Sequence, residues 1–73
     1  MGNIRTYSGK DLVTILKKLG FILVRQKGSH NFLEHEDGRR TVIPVHSNED
    51  IGIGLFSKIM KDIEMTKEDF MKF

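Results

Sequence analysis

Between residues 12 and 19, Leu12, Ile15, Leu16 and Leu19 recur at the spacing that turns one face of a helix toward a core. Ser8, with Asp11 three residues on, supplies a capping pair for the start of that helix. Gly20 suits a left-handed cap at its end. Lys10, Thr14 and Lys17 fall on the side away from the stripe. The pattern then changes to bulky and β-branched residues, which predicts strands over residues 21–26, 30–36 and 39–45. Gly28-Ser29 and Asp37-Gly38 are read as the two-residue turns between them. Pro44 has no N–H to give to a ladder, so the third strand is expected at a sheet edge. The polar, glycine-containing stretch 46–54 reads as a loop. Leu55, Phe56, Ile59, Met60 and Ile63 form a second helical stripe, and Thr66 with Asp69 can cap a last short turn carrying Phe70, Met71 and Phe73. The order α-β-β-β-α predicts a two-layer α+β domain: a three-stranded antiparallel sheet, ordered 1-2-3, with the helices on one face.

The turns set a register. With Gly28 and Ser29 as turn residues, Lys27 stands opposite His30; a turn through Lys27-Gly28 would bring Arg25 there instead, so either way a cation flanks the imidazole. Pairing Glu36 with Arg39 puts Leu33 beside Val42, Phe32 beside Ile43, Val45 opposite His30, and His46 level with Ser29. Strict alternation turns His46 away from His30, although its position at the strand end leaves its direction open. Both sheet faces are expected to be apolar, with Phe21, Leu23 and Phe32 on one and Ile22, Val24 and Leu33 on the other.

At 73 residues the chain is expected to be one domain, residues 1–73, with a core of modest size. It has no cysteine, which excludes disulfides, thiol chemistry and thiolate metal sites and suits a reducing compartment. No signal peptide or membrane-spanning apolar run is found, so a soluble protein of the cytoplasm is expected. The net charge of +2 is divided unevenly. Residues 1–33 carry six basic side chains against one acidic, net +5, and residues 34–73 carry six against nine, net −3. This asymmetry points to one face for an anionic ligand.

The chemistry-bearing stretch is RQKGSHNF, residues 25–32. An imidazole can take and return a proton near neutral pH, and adjacent cations can stabilise charge developing on a phosphoryl oxygen. RNA brings its own nucleophile, the 2′-hydroxyl, so a base and fixed positive charge would suffice without a metal, and DNA would be spared. An ordinary hairpin tip accounts for the same residues. Three histidines invite a zinc site, but His30, His35 and His46 match no short ligand spacing. No metal and no cofactor is expected.

The segments SGKDLVTILKKLGFILVRQKGSHNF, DGRRTVIPVH and GLFSKIMKDIEMTKEDF, in this order, resemble the HicA toxin family of toxin–antitoxin modules. The resemblance runs from about Ser8 to Phe70. It implies a fold like the double-stranded-RNA-binding domain, activity as an mRNA-cleaving endoribonuclease, and inhibition by a cognate HicB-type antitoxin. The family's catalytic histidine falls on His30. Arg25, Lys27, Gly28 and Ser29 are then the expected substrate contacts, with Lys10, Lys17 and His46 as further candidates and His35 uninvolved. Two positions depart from the family pattern. Asn31 stands where many members have a second histidine, and Gly54-Leu55-Phe56 stands where Gly-Thr-Leu is common, which removes a hydroxyl at the helix start. A sheet face left uncovered would suit the antitoxin or a second copy of the chain. A non-catalytic RNA-binding module and a basic surface that docks an acidic partner are the alternative functions.

Overall fold

The computed structural model describes residues 6–73; Arg5, counted above in the basic half, lies outside the described residues. The elements run α1 (Gly9–Lys18), β1 (Ile22–Lys27), β2 (His30–Glu34), β3 (Arg40–Pro44), α2 (Ile53–Ile63) and α3 (Lys67–Phe70). This is the expected α+β architecture of the double-stranded-RNA-binding-domain type, with an antiparallel sheet ordered β1-β2-β3.

Local chemistry fixes the ends of α1. Ser8 Oγ accepts from the Asp11 N–H at 3.0 Å, and the Asp11 carboxylate accepts from the Ser8 N–H at 3.4 Å, a complete capping box. At the other end the Phe21 N–H reaches the Leu16 carbonyl and the Gly20 N–H that of Lys17, with Gly20 at φ 101°. These are the two bonds of a Schellman motif, and only glycine takes that φ without strain. Thr66 caps α3 by accepting from the Asp69 N–H, also as expected. Gly54, read as loop, lies inside α2, whose N-cap is Gly52.

The first hairpin has the expected two-residue turn, with Lys27 paired to His30. Gly28 has φ 58° and Ser29 does not share the positive sign, the pattern of a II′ turn. Further along, the register shifts between Leu23 and Arg25, so that Leu23 pairs with Leu33 while Arg25 pairs with Phe32. A bulge at Val24 absorbs the extra residue. It reverses the expected grouping of apolar side chains: Phe21 and Leu33 are buried against the helices with Leu23 beside them, while Ile22, Val24, Phe32 and Val42 stand on the outer face.

The second hairpin departs from expectation by one residue. His35 N–H donates to Arg39 O at 2.8 Å and Gly38 N–H to His35 O at 2.9 Å. The turn therefore has three residues, Glu36, Asp37 and Gly38, with Gly38 at φ 102°. The pairs become Leu33 with Thr41, Phe32 with Val42, Asn31 with Ile43 and His30 with Pro44. Val45 consequently faces Ser29, not His30, and its N–H donates to Ser29 O at 2.8 Å. Pro44 lies on an edge strand, as its missing donor requires.

The core lies between the sheet and the helices. Leu12, Leu16, Leu33, Ile43, Ile59, Ile63 and Phe70 are fully buried. Tyr7 stacks on Phe56 with centroids 5.5 Å apart, and both rings meet Phe70 edge-on, which ties the segment before α1 to α2 and α3. At the far end of the sheet Arg39 forms a latch. Its Nη1 donates to Ile63 O at 2.6 Å, its Nε reaches both Asp37 carboxylate oxygens, and its guanidinium lies 5.1 Å from the centre of the Phe21 ring.

Two predictions follow from these contacts. A Cβ at Gly9 would strike the backbone oxygen of Pro44 and crowd Val45 Cα, so α1 rests backbone to backbone on the end of β3. Alanine ordinarily gains roughly 1 kcal/mol over glycine in a helix, but forcing atoms into this contact costs about 1–3 kcal/mol. Gly9→Ala should therefore melt at or below the parental temperature and never above it; a thermal melt checks this, and a clear rise would show that α1 moves freely off β3. The second concerns Asp37. The Arg39 backbone N–H, reinforced by the Arg39 side chain and by His35, holds its carboxyl below the usual carboxylate range. The resulting stabilisation is complete above the ordinary carboxylate value and is lost as the pH falls through the lower folded value. Asp37→Asn should flatten this part of the acid limb of a stability-versus-pH curve, and an unchanged limb would refute the assignment.

Candidate active site

His30 opens β2 immediately after the hairpin turn, and its side chain is exposed. On the strand its neighbours Asn31 and Leu33 point into the core, so period-two alternation places His30, Phe32 and Glu34 on the outer face. Lys27 is directly across on β1 and Pro44 directly across on β3. Directly opposed residues have Cβ atoms about 4.5–5.5 Å apart, which brings the ammonium stem of Lys27 beside the imidazole. Among the described residues neither Lys27 nor Arg25 pairs with a carboxylate. Both charges remain available to an incoming anion.

The turn itself is held from behind by Asn31, which is buried at 6 % exposure. Its Nδ2 donates to Ser29 O at 3.0 Å and to Ile43 O at 3.2 Å. Ser29 O thus accepts both from this amide and from the Val45 N–H. The carbonyl of the Ser29–His30 peptide is pinned to the core side chain of β2 and to the chain beyond β3, and the start of the His30 backbone is pinned with it. Ser29 itself is half-buried, and Gly28 is exposed with open space around its Cα.

The remaining candidates are spread more widely. Arg25 lies one row along from His30, opposite Phe32, with its guanidinium 5.8 Å from the centre of that ring. Lys10 follows Gly9 at the start of α1, so it sits at the same end of the molecule as His30 but in the helix layer, across the sheet. Lys17 is two turns farther along α1. His46 is exposed and lies two residues past the end of β3, where no ladder fixes its direction. His35 is at the opposite end of β2 from His30, with its ring edge-on to Phe21 at 5.1 Å and its Nδ1 near the Asp37 N–H and carboxylate. The described residues hold no group of three or more side chains suited to a metal ion.

The sequence pattern missed two residues that shape this region. Gly9 was silent because the contact that demands it comes from a strand 35 residues away. Asn31 registered only as a departure from the second histidine of the family pattern, although a polar residue at an inward position of a central strand is itself a signal that a buried partner awaits it.

An α-β-β-β-α domain whose first hairpin presents an exposed, cation-flanked histidine defines a small α+β fold of the double-stranded-RNA-binding type with a candidate catalytic side chain on its open sheet face. Comparison with protein families matches residues 9–65 to "HicA toxin of bacterial toxin–antitoxin", and the chain belongs to this family. A search of curated proteins gives no match. Membership makes the protein the toxin member of a toxin–antitoxin system, with a cognate antitoxin as its partner. No helix among the described residues is long and apolar enough to cross a membrane.

Asn31→Leu keeps the number and branching of the side-chain heavy atoms but removes both amide donors. Leaving buried acceptors short of partners costs about 1–3 kcal/mol, which in a domain of this size lowers Tm by about 4–8 °C per kcal/mol. The Val45 amide, which shares the Ser29 carbonyl, should exchange with solvent faster in the variant. A hydrogen-exchange measurement showing Val45 equally protected would remove Asn31 from its role behind the turn.

Proposed function

We propose that this protein is a metal-independent mRNA endoribonuclease in which His30 is the general base. The observation that carries the reading is the exposed imidazole opposite Lys27, on a turn held by the buried Asn31 side chain. In its neutral form His30 takes the proton of a ribose 2′-hydroxyl. The 2′-oxygen then attacks the adjacent phosphorus, the O2′–P bond forms, and the P–O5′ bond breaks. The products are a 2′,3′-cyclic phosphate and a 5′-oxygen that takes its proton from water; His30 returns its own proton to solvent. Lys27 stabilises the charge that builds on the non-bridging oxygens, and Arg25 holds the neighbouring phosphate. Gly28 and Ser29 let the backbone approach closely, and the Ser29 hydroxyl orients the phosphate. Lys10 and His46 flank the site and contact more distant parts of the strand. The cognate antitoxin, of the HicB type, blocks this surface in the cytoplasm until RNA is to be cut.

Incubating purified protein with RNA in excess chelator tests the reading. Cleavage should persist, stop for an all-2′-deoxy strand of the same sequence, and fall by about 10²-fold or more in His30→Ala, the scale on which positioned acid–base groups act. His30→Ala cutting at the parental rate would exclude His30 as the base. A mobility shift with no products, for the parental protein, would instead favour a non-catalytic RNA-binding module. Expression of the parental chain without its antitoxin should arrest growth, and His30→Ala should not.

A further inference from the structure

The outer face of the sheet is built in rows that continue from His30. The first is Lys27–His30–Pro44, the second Arg25–Phe32–Val42 and the third Ile22–Glu34–Arg40. The second row, with Val24 and with Glu34 and Arg40 of the third, lines a groove of about 370 Å³ that continues past the β3 edge to Thr41 and to Lys58 and Asp62 of α2. Phe32 lines it half-buried, with the Arg25 guanidinium over the ring at 5.8 Å from its centre, and Val24 and Val42 line it at 55 % and 37 % exposure. At its far end Glu34 and Arg40 stand only loosely paired, 3.9 Å apart, which leaves acceptor and donor capacity unused.

We propose that this groove binds one nucleobase of the RNA substrate, on the nucleotide next to the bond that His30 attacks. The inference rests on the RNA-cleaving reading of the site. Two residues along a strand rise about 6.7 Å, close to one nucleotide step in an extended single strand. RNA whose scissile phosphate lies on the first row therefore places its neighbouring base over the second. The Phe32 ring and the Arg25 guanidinium over it form a stacking platform for any base, which can lie on the aromatic or the guanidinium plane, and Glu34 and Arg40 are positioned to meet the polar edge of that base. The charge of the three rows is positive, with Lys27, Arg25 and Arg40 against Glu34, and suits a polyanion. The cations along the rows and the direct continuity with His30 favour a base of a polyanion over an apolar protein segment, which would gain nothing from either.

The test uses the full chain. After the cleavage site of a short oligoribonucleotide is mapped, a single abasic residue is scanned across it and kcat/KM is measured for the parental protein, Phe32→Leu and Phe32→Tyr. One abasic position beside the cut should cost the parental protein about 5- to 150-fold, the usual weight of a stacked base. That penalty should vanish in Phe32→Leu and persist in Phe32→Tyr. A parallel binding assay uses an uncleavable all-2′-deoxy strand with 2-aminopurine at the same position; quenching of its fluorescence should depend on Phe32 and survive His30→Ala. Should no RNA be cut while the quenching still requires Phe32, the catalytic reading falls and the base site stands. Equal abasic penalties in the parental protein and Phe32→Leu would overturn the proposal. So would a Phe32→Leu protein that binds and cuts RNA normally but no longer binds the cognate antitoxin, since that result assigns the face to a protein partner.

Discussion

The alternation of β2 is the constraint from which the rest of the molecule takes its place. Asn31 and Leu33 face the helices, and His30, Phe32 and Glu34 therefore face away from them. A slip of one residue would exchange the two sets, burying an imidazole and a carboxylate and exposing Leu33. Burial of Leu33 beside Ile43 and Ile59, none more than 1 % exposed, gains a few kcal/mol of apolar transfer that the slipped arrangement forfeits. The exposure of His30 is thus a consequence of core packing rather than an independent feature of the hairpin tip.

The parts of this arrangement that were legible in the sequence are those decided by neighbours in the chain. The Ser8–Asp11 capping box, the Gly20 stop and the Gly28-Ser29 turn each rest on residues within five positions of one another. The errors arise where distant strands decide. Asp37-Gly38 suits a two-residue turn, but it also completes a three-residue turn with glycine at positive φ, and Val42 and Ile43 are both apolar enough to take either face. Leu23 and Val24 are likewise interchangeable by composition, so nothing local marks the bulge. The residues of the candidate site inherit this pattern. The pairing of Lys27 with His30 was readable from the adjacent turn, whereas the company of Phe32, the place of Lys10 across the sheet and the role of Asn31 emerge only from the assembled strands.

The two hairpin ends use their charges differently. At the Asp37 end, Arg39 is engaged with the Asp37 carboxylate, the Ile63 carbonyl and the Phe21 ring, and His35 is wedged between Phe21 and Asp37. Those groups hold β2, β3 and the end of α2 together and have little capacity left for a ligand. At the His30 end the structural load is carried by neutral groups instead. The Asn31 amide, the Val45 N–H and the backbone contact at Gly9 fix the turn, while Lys27 and Arg25 make no ion pair among the described residues. One end is latched by charge and the other presents charge.

The same division explains why a net charge of only +2 is compatible with a polyanionic substrate. Part of the acidic half is paired with cations within the fold: Asp37 with Arg39, Asp62 with Lys58, Asp69 with Lys72 and Glu34 loosely with Arg40. Such pairs cancel one another's field within a few ångströms, beyond which salt screens what remains. Arg25 and Lys27 have no such cancellation, and they stand on the strand adjoining His30. The potential an approaching phosphate meets at the hairpin is therefore set by Arg25 and Lys27 beside the exposed imidazole rather than by the total charge.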